Sequence, residues 1–265
     1  MGNVKTGAYA GASAGTPRVL KIKAGDLREV LAKGFADFLA APTHSVFLVV
    51  VYPIAGLILM RLTFGYDMLP LIFPLVAGFA LLGPFAAVGL YEISRRRQQG
   101  LSPSVRDALN VLDGRFTSIA LLGLLLMAVF LAWLITALAI YRLTLGNWTP
   151  GSIEEFTTRI LTTPAGIKLI VLGCGIGFLF ALFSFAISVV SFPMLVDREV
   201  SIQTAVSTSI KAVAANPVPM ALWGMIVAAA LILGTLPALI GLAVVLPVLG
   251  HATWHLYCKL VKAEA

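Results

Sequence analysis

The chain has 265 residues, of which 59% are hydrophobic and only 12% are charged, and its formal net charge is +7. Soluble domains carry about 25% charged residues, so this composition excludes an ordinary soluble domain and indicates an integral membrane protein. The opening stretch MGNVKTGAYAGASAGTPRVLKIKAG is polar and rich in small residues, and it lacks a short apolar core. We therefore expect no cleaved signal peptide, and residues 1–23 are predicted to be a flexible cytosolic tail.

The first part of the chain is predicted to form a surface helix followed by two membrane spans. DLREVLAKGFADFLAAP opens with Asp26, a residue type that caps helix N-termini, and Glu29 follows three places later as in a capping box. Its apolar residues recur at helical spacing, which predicts an amphipathic helix along the inner membrane interface. About 20 apolar residues cross a bilayer, so Ser45–Phe64 and Met68–Tyr91 are predicted spans.

The middle part follows the same plan. SVRDALNVLDGRF, from Ser104, is a second predicted surface helix, and the third and fourth predicted spans are Phe116–Tyr141 and Ala165–Val196. Between these spans, Ser152 stands three residues before Glu155, and apolar residues follow at helical spacing. This pattern predicts a short capped helix at the outer interface.

The last part repeats the plan a third time. SIQTAVSTSIKAVAANP, from Ser201, is the third predicted surface helix, and Pro217–Gly234 and Leu236–His255 are the fifth and sixth predicted spans. A proline lies near the inner end of each even-numbered span, in GPFAAVGLYE, SFPMLVDRE and LPVLGHATWH. In addition, Ala40–Pro42 aligns with Ala215–Pro217 without a gap.

These matches predict an all-α membrane protein of six transmembrane helices, built from three parallel repeats about an axis along the membrane normal. Each repeat is an interfacial helix plus a transmembrane hairpin. The predicted units are residues 24–100, 101–200 and 201–265.

Lysine and arginine are distributed unevenly between the alternating loops. Fifteen fall on the side of both termini, and four fall on the other side: Arg61, Arg142, Arg159 and Lys168. The positive-inside rule therefore predicts that both termini lie in the cytosol. Attraction of the basic loops to anionic lipid headgroups explains the positive charge, so no nucleic-acid partner is expected.

Five residues are predicted to mark the membrane interface on the cytosolic side. Arg95, Arg96 and Arg97 form the densest basic run. Tyr91 and Trp254 each follow the proline of their span by seven residues, where aromatic belt residues are expected.

Histidine and cysteine gather near the C-terminus. His251 and His255 lie one helical turn apart, Cys258 follows, and His44 lies at a comparable depth, at the inner end of the first predicted span. Such a cluster could bind a transition metal, or a histidine pair could ligate haem. Alternatively, His251 and His255 are the hydrogen-bonding polar rim of the last span, and we favour this interpretation, because one helix alone cannot close a coordination sphere. No cofactor and no metal are therefore expected.

Three stretches carry a resemblance to a known family: GPFAAVGLYEISRR from Gly83, SVRDAL from Ser104 and PVLGHATWHLY from Pro247. Together they resemble a bacterial family of integral membrane proteins classed as domain of unknown function 2189. The resemblance extends from about Leu20 to Lys262 and implies a six-span inner-membrane protein with no assigned catalytic residue. Some members are labelled as oxidase-associated, which implies a respiratory complex as a partner. Three histidines cannot supply the roughly six ligands that a haem–copper catalytic subunit needs.

We therefore expect a non-catalytic protein that packs against lipid and other membrane subunits as an accessory, assembly or scaffold subunit. The alternative is a transporter or channel for a small or lipophilic solute. The near absence of charge within the six apolar cores argues against ion-coupled transport, while prolines in the spans favour the alternative. No phosphate-binding loop, HExxH or CxxC motif occurs in the sequence, so no enzyme activity is expected.

Overall fold

The computed structural model of the chain describes residues 17–42, 69–101, 115–236 and 241–262. The fold is mostly helical. Its strands are β1 (Arg18–Val19) and β2 (Val261–Lys262), and its helices are α1 (Asp26–Ala40), α2 (Leu69–Phe79), α3 (Gly83–Ala86), α4 (Val88–Gln98), α5 (Phe116–Leu145), α6 (Ile153–Thr162), α7 (Pro164–Ser188), α8 (Ser191–Asp197), α9 (Ile202–Ala215), α10 (Pro217–Thr235) and α11 (Leu242–Leu260). The predicted first span and most of the predicted second surface helix lie outside the described residues.

Within the described residues, four stretches are long and apolar enough to cross a membrane: Pro70–Gln98, Phe116–Leu145, Pro164–Asp197 and Pro217–Thr235. They correspond to the second to fifth predicted spans. The sixth predicted span falls largely on α11, which is not among these four, because the second half of that helix, HATWHLYCKL, is rich in polar residues. A sixth span therefore stays a prediction.

Two of these stretches are interrupted near their prolines. The stretch Pro70–Gln98 passes through a 3₁₀ turn at Ala80–Leu82 before α3, which contains Pro84. The stretch Pro164–Asp197 breaks between Ser188 and Ser191, just before Pro193. Because proline has no amide hydrogen, it cannot complete the hydrogen bond to the carbonyl four residues earlier, which accounts for a break at this point. By contrast, Pro247 lies inside an unbroken α11.

The two ends of the described chain meet. β1 pairs antiparallel with β2, with Arg18 opposite Lys262. The segment after β1 is held by Asn216, which accepts a hydrogen bond from the Ile22 amide at 2.8 Å and donates one to the Leu20 carbonyl at 3.0 Å. The start of α10 thus lies beside both ends of the chain.

The same side also contains the ends of α4, α8 and α11 and the start of α5. Trp254 near the end of α11 hydrogen-bonds Gln98 at the end of α4, and Tyr257 hydrogen-bonds Asp197 at the end of α8. Arg115, just before α5, donates to the carbonyl of Val196. We call this side, which contains Arg95–Arg97 and Arg198, the arginine end.

Helix α11 is the centre of the fold at the arginine end. α1 packs along one of its faces and α4 along another. The contact with α1 is close, because a Cβ atom on Gly34 would lie 2.6 Å from the Cβ of Ala252. On the α4 side, a Cβ on Gly250 would lie 2.5 Å from a methyl carbon of Leu90. Glycine at these two positions allows three helices to approach each other.

Helices α1 and α9 share part of their pattern of burial. When Pro217 is placed on Pro42, three buried positions of the two helices coincide: Val30 with Ala205, Gly34 with Ser209, and Asp37 with Ala212. The residues before the two prolines also share a backbone conformation, with φ −141° and ψ 53° at Ala41 and φ −131° and ψ 52° at Asn216. α1 packs on α11, and α9 packs on α7 and α8.

The helix caps show which local predictions hold. Ser201 and Ser152 are N-caps as predicted, and their hydroxyl oxygens accept hydrogen bonds from the amides of Thr204 and Glu155. The prediction for Asp26 is wrong by one residue, since Gly25 is the N-cap. Asp26 is instead the first helical residue, and its carboxylate accepts from the Lys23 amide at 2.7 Å.

Candidate functional site

The two C-terminal histidines face α1 and α4, not the solvent. Because they are four residues apart on α11, both point to one side of that helix. His251 is fully buried, and the His255 side chain is only 12% exposed. The favoured interpretation places both in a polar rim, and the structure instead encloses His251 within the protein.

Asp37 on α1 joins these histidines to α4. One carboxylate oxygen, Oδ2, accepts from the Ser94 hydroxyl at 2.6 Å and lies 2.7 Å from His255 Nε2. The other, Oδ1, accepts from Arg97 at 2.7 Å. The Ser94 oxygen also lies 2.8 Å from His251 Nδ1. We call these five residues the Asp37 cluster.

The hydrogen bonds of Ser94 fix the proton on His251. A serine hydroxyl has one hydrogen, and an ionised carboxylate can only accept, so Ser94 donates to Asp37. The contact between Ser94 and His251 then requires His251 to donate from Nδ1. His251 is therefore assigned the tautomer that carries its proton on Nδ1.

Charge at Asp37 is well compensated. Burial raises the pKa of its carboxyl, but hydrogen bonds from His255 and Ser94 outweigh burial and hold the pKa below its ordinary value. Asp37 is therefore an ionised carboxylate at neutral pH, with Arg97 as its cationic partner. The cluster thus joins α1, α4 and α11 through the buried carboxylate of Asp37, whose oxygens accept hydrogen bonds from three side chains.

The arrangement does not provide a nucleophile. Ser94, His251 and an aspartate are adjacent, but the serine stands between the other two instead of at the end of the chain. Its hydroxyl hydrogen is given to Asp37 and its side chain is fully buried. A catalytic triad needs the histidine in the middle and an accessible hydroxyl.

A second polar feature lies next to the Asp37 cluster, between the ends of α4, α8 and α11. It is a cavity of about 410 Å³, and its lining includes Arg95, Gln98, Asp197, Arg198, Trp254 and Tyr257. We call it the arginine-end cavity.

Two ion pairs border this cavity. Arg95 Nε and Nη2 lie 2.6 and 2.9 Å from the carboxylate of Glu92, which is itself buried. Arg198 Nε and Nη2 lie 3.1 and 2.8 Å from Asp197. The Tyr257 hydroxyl donates to the same carboxylate at 2.6 Å. Each of the two acids therefore pairs with an arginine that is close to it in the sequence.

The five residues predicted for the membrane interface all lie at the arginine end. Arg95 and Arg96 both pair with Glu92, and Arg97 pairs with Asp37. The rings of Tyr91 and Trp254 are each 2% exposed, so protein surrounds both. Trp254 donates from its indole nitrogen to Gln98 at 3.0 Å.

The predicted metal ligands are only partly within the described residues. His44 lies outside them, so its distance from His251 stays untested. Within the described ranges, no group of three or more histidine, cysteine or acidic side chains is placed to hold a metal ion. Burial raises the pKa of Cys258 to about 12, so at neutral pH this residue is a thiol and not the thiolate that binds metals.

Sequence reasoning missed Asp37 and Ser94. A signal for Asp37 was present, because this acid lies within the apolar stripe of the first amphipathic helix, between Gly34 and Phe38. A charged residue on a buried face needs a buried partner. Ser94 gave no such signal, because serine is common beside polar residues near helix ends.

A comparison with known families supports the membrane assignment. Residues 72–197 match the model of the family described as "Predicted integral membrane protein (DUF2189)". This confirms the resemblance noted from the sequence, and the match covers the second to fourth predicted spans. No curated protein and no solved structure matches the chain.

Proposed function

We propose that the chain is a non-catalytic protein of the bacterial inner membrane that packs against other membrane components as an accessory, assembly or scaffold subunit. The observation that carries this proposal is the open face of the third membrane stretch. Only 11% of the most apolar part of Pro164–Asp197 is buried within the protein, against 39% for Phe116–Leu145. The exposed face is built of Ile167, Val171, Phe178, Leu179, Leu182 and Phe183.

The distribution of charge favours packing over transport. In the four membrane stretches, charged side chains occur only towards the ends: Glu92, Arg95, Arg96, Arg97, Arg142, Lys168 and Asp197. Ion-coupled transporters place polar groups or broken helices near the midplane. The helix break before Pro193 lies instead beside the arginine end, where α8 contacts α11. The 3₁₀ turn at Ala80–Leu82 lies nearer the middle of its stretch, and it is a feature that fits the transport alternative.

Six spans with both termini in the cytosol agree with how the described ends are arranged. α10 begins at the arginine end and α11 finishes there, so the two helices run in opposite directions, as a crossing and its return would require. Pro42 follows α1 at the arginine end, while α2 runs antiparallel to α5 and begins towards the opposite end. A first span at Ser45–Phe64 would join these positions.

The threefold repeat is supported by α1 and α9. Each packs on the even-numbered span of the preceding unit, α1 on α11 and α9 on α7 and α8. Rotation about the membrane normal then requires the predicted helix from Ser104 to pack on α4. That segment lies outside the described residues, so its position is a prediction.

Photo-cross-linking in native membranes tests the accessory role. A photoreactive side chain at Phe178, which is 65% exposed on α7, should give an adduct with another membrane protein of reproducible mass. The same group at Leu126, which is fully buried on α5, is the matched control and should give none. Adducts with lipid alone at Phe178, Leu182 and Val171 would refute a partner on this face.

Flux measurements test the alternative. Purified protein in sealed proteoliposomes should show no uptake of small or lipophilic solutes above empty vesicles. Saturable uptake would make the protein a transporter and overturn the accessory role.

Cysteine pairs test the repeat. After Cys174 and Cys258 are replaced by serine, cysteines within 105–112 should cross-link to cysteines on α4. Pairs with α10 are the control and should not form. Cross-links to α10 and none to α4 would rule out rotation as the relation between the three repeat units.

A further inference from the structure

We propose that the arginine-end cavity binds a phosphate group, as carried by the headgroup of an anionic phospholipid. The lipid as the source of this phosphate rests on the membrane placement proposed above. The phosphate site itself rests only on the geometry of the cavity.

The two guanidinium groups are held in place before any ligand arrives. Arg95 and Arg198 each use the Nε and Nη2 side of the guanidinium for a carboxylate. A guanidinium has five N–H donors, so each arginine keeps the hydrogens of Nη1 beyond those used in its ion pair. Arginine groups fixed in this way are well suited to a tetrahedral anion, because little side-chain freedom is lost on binding.

A side-chain amide adds a third donor. Gln98 Oε1 accepts from the indole nitrogen of Trp254 at 3.0 Å and lies 3.6 Å from the Cys258 sulfur. Since the oxygen is engaged, the NH₂ group of Gln98 is the part of the amide that can donate to a ligand.

Among the described residues that line the cavity, positive charge exceeds negative charge. Arg95 and Arg198 line it together with one carboxylate, that of Asp197. A ligand with one negative charge would neutralise the remainder. Basic pockets between membrane helices on the cytosolic side are typical binding sites of anionic headgroups.

Two aromatic side chains at the edge of the cavity are almost fully buried. The rings of Trp254 and Tyr257 lie 5.5 Å apart and are inclined at 52°, and both belong to the last turns of α11. Their hydrogen bonds to Gln98 and Asp197 hold these two lining side chains in place. The volume of about 410 Å³ admits a headgroup but not a whole lipid.

Native mass spectrometry of the full chain tests the site. The protein is released from nanodiscs of phosphatidylcholine that contain a minor fraction of phosphatidylglycerol, and retained lipids are identified by mass. We expect wild type to retain phosphatidylglycerol selectively. Arg198→Gln should weaken this retention at least fivefold, and Arg142→Gln, which removes the same charge at the opposite end, should leave it unchanged.

A second arm separates a lipid from a free anion. Inorganic phosphate is titrated into protein in nanodiscs of phosphatidylcholine alone, and tryptophan fluorescence is followed with Trp254→Phe as the assignment variant. A response to phosphate that Arg198→Gln abolishes supports a site for phosphate in general. No response, together with selective retention of phosphatidylglycerol, supports a site specific to lipid.

Two results would overturn the site. One is equal loss of phosphatidylglycerol in Arg142→Gln and Arg198→Gln, since this indicates unspecific attraction to charge. The other is no preference of wild type for phosphatidylglycerol together with no response to phosphate. Neither result bears on cross-linking at Phe178, so failure of this site and failure of the accessory role are separable.

Discussion

Helices α11 and α7 have similar lengths but opposite surroundings. α11 has nine buried residues in a helix of 19, whereas α7 has four in a helix of 25. α11 contacts α1, α4, α8 and α10, and polar side chains on three of these helices hydrogen-bond to it or to each other. α7 contacts mainly α5, α6 and α9, and most of its apolar side chains face outward.

This difference shows where the specificity of the fold resides. In a bilayer, apolar side chains gain little by leaving lipid for protein, so association of helices depends on close packing and on polar contacts. Polar contacts between helices are concentrated at the arginine end, in the Asp37 cluster, and the Gly34 contact adds close packing there. Substitutions there should destabilise the fold, and matched substitutions on the exposed face of α7 should not.

The largest effect is expected for Asp37→Ala. It removes the acceptor of three side chains and leaves Arg97 without its carboxylate, which should cost about 3 kcal/mol. The free energy of unfolding in mixed detergent micelles measures the loss. Glu29→Ala is the control, because this acid is half exposed on the same helix, and it should change little. An equal effect of both substitutions would contradict a special role for the cluster.

A smaller effect on stability is expected when glycine is replaced by alanine, and its sign depends on which glycine is replaced. Gly34→Ala puts a methyl group 2.6 Å from Ala252, with backbone atoms equally near, and should destabilise the protein by about 2 kcal/mol. Gly175→Ala on α7 meets no atom within 4 Å and should be neutral or stabilising by up to about 1 kcal/mol, because alanine favours helix. Thermal unfolding of both variants measures the contrast. Destabilisation by Gly175→Ala would show that a neighbour covers this part of α7.

Acid should weaken the arginine end through Asp37. The folded pKa of this carboxyl lies below its ordinary value, so its stabilising contribution is present above the unfolded pKa of about 3.9 and is lost as pH falls through the folded pKa. Unfolding midpoints between pH 7 and pH 3 should therefore fall less steeply in Asp37→Asn than in wild type. Glu154→Gln, on α6, should keep the wild-type slope. A slope unchanged by Asp37→Asn would show that other carboxyls dominate the acid loss.

The smallest effect concerns two helix caps with the same chemistry. Ser152→Ala and Ser201→Ala each remove a hydroxyl that accepts from an amide three residues later, at a cost of about 1 kcal/mol. α6 has no buried residue, so Ser152→Ala should speed hydrogen exchange only within 153–162. α9 is packed against α7 and α8, so Ser201→Ala should lower global stability. Global destabilisation by Ser152→Ala would place α6 in the core of the fold.

Local features of the fold were predictable from the sequence, because their causes are local. Continuous apolar runs identified four of the membrane stretches, and Ser152 with Glu155 identified the short outer helix. The pairing of α1 with α11 was not predictable, because helical periodicity shows which face is apolar but not which helix covers it. For the same reason, the rings of Tyr91 and Trp254 were expected beside headgroups, whereas neighbouring helices cover them.

The candidate sites were harder to predict than the fold. The histidine pair attracted notice because of its spacing, yet the side chains that define its chemistry, Asp37 and Ser94, come from two distant parts of the chain. The run Arg95–Arg97 indicated how the chain is oriented in the membrane. The sequence did not indicate that Arg95 and Arg198 border one cavity.

The partnership of Asp37 with His255 also constrains the order of events during biosynthesis. The two residues are 218 positions apart, and a ribosome adding about 5–20 residues per second needs about 10–40 s to make the intervening chain. During that interval, α1 has been made, but the helix that covers Gly34 and carries His255 has not. The packing of α1 in the fold is therefore completed only after α11, the last helix of the described chain, has been synthesised.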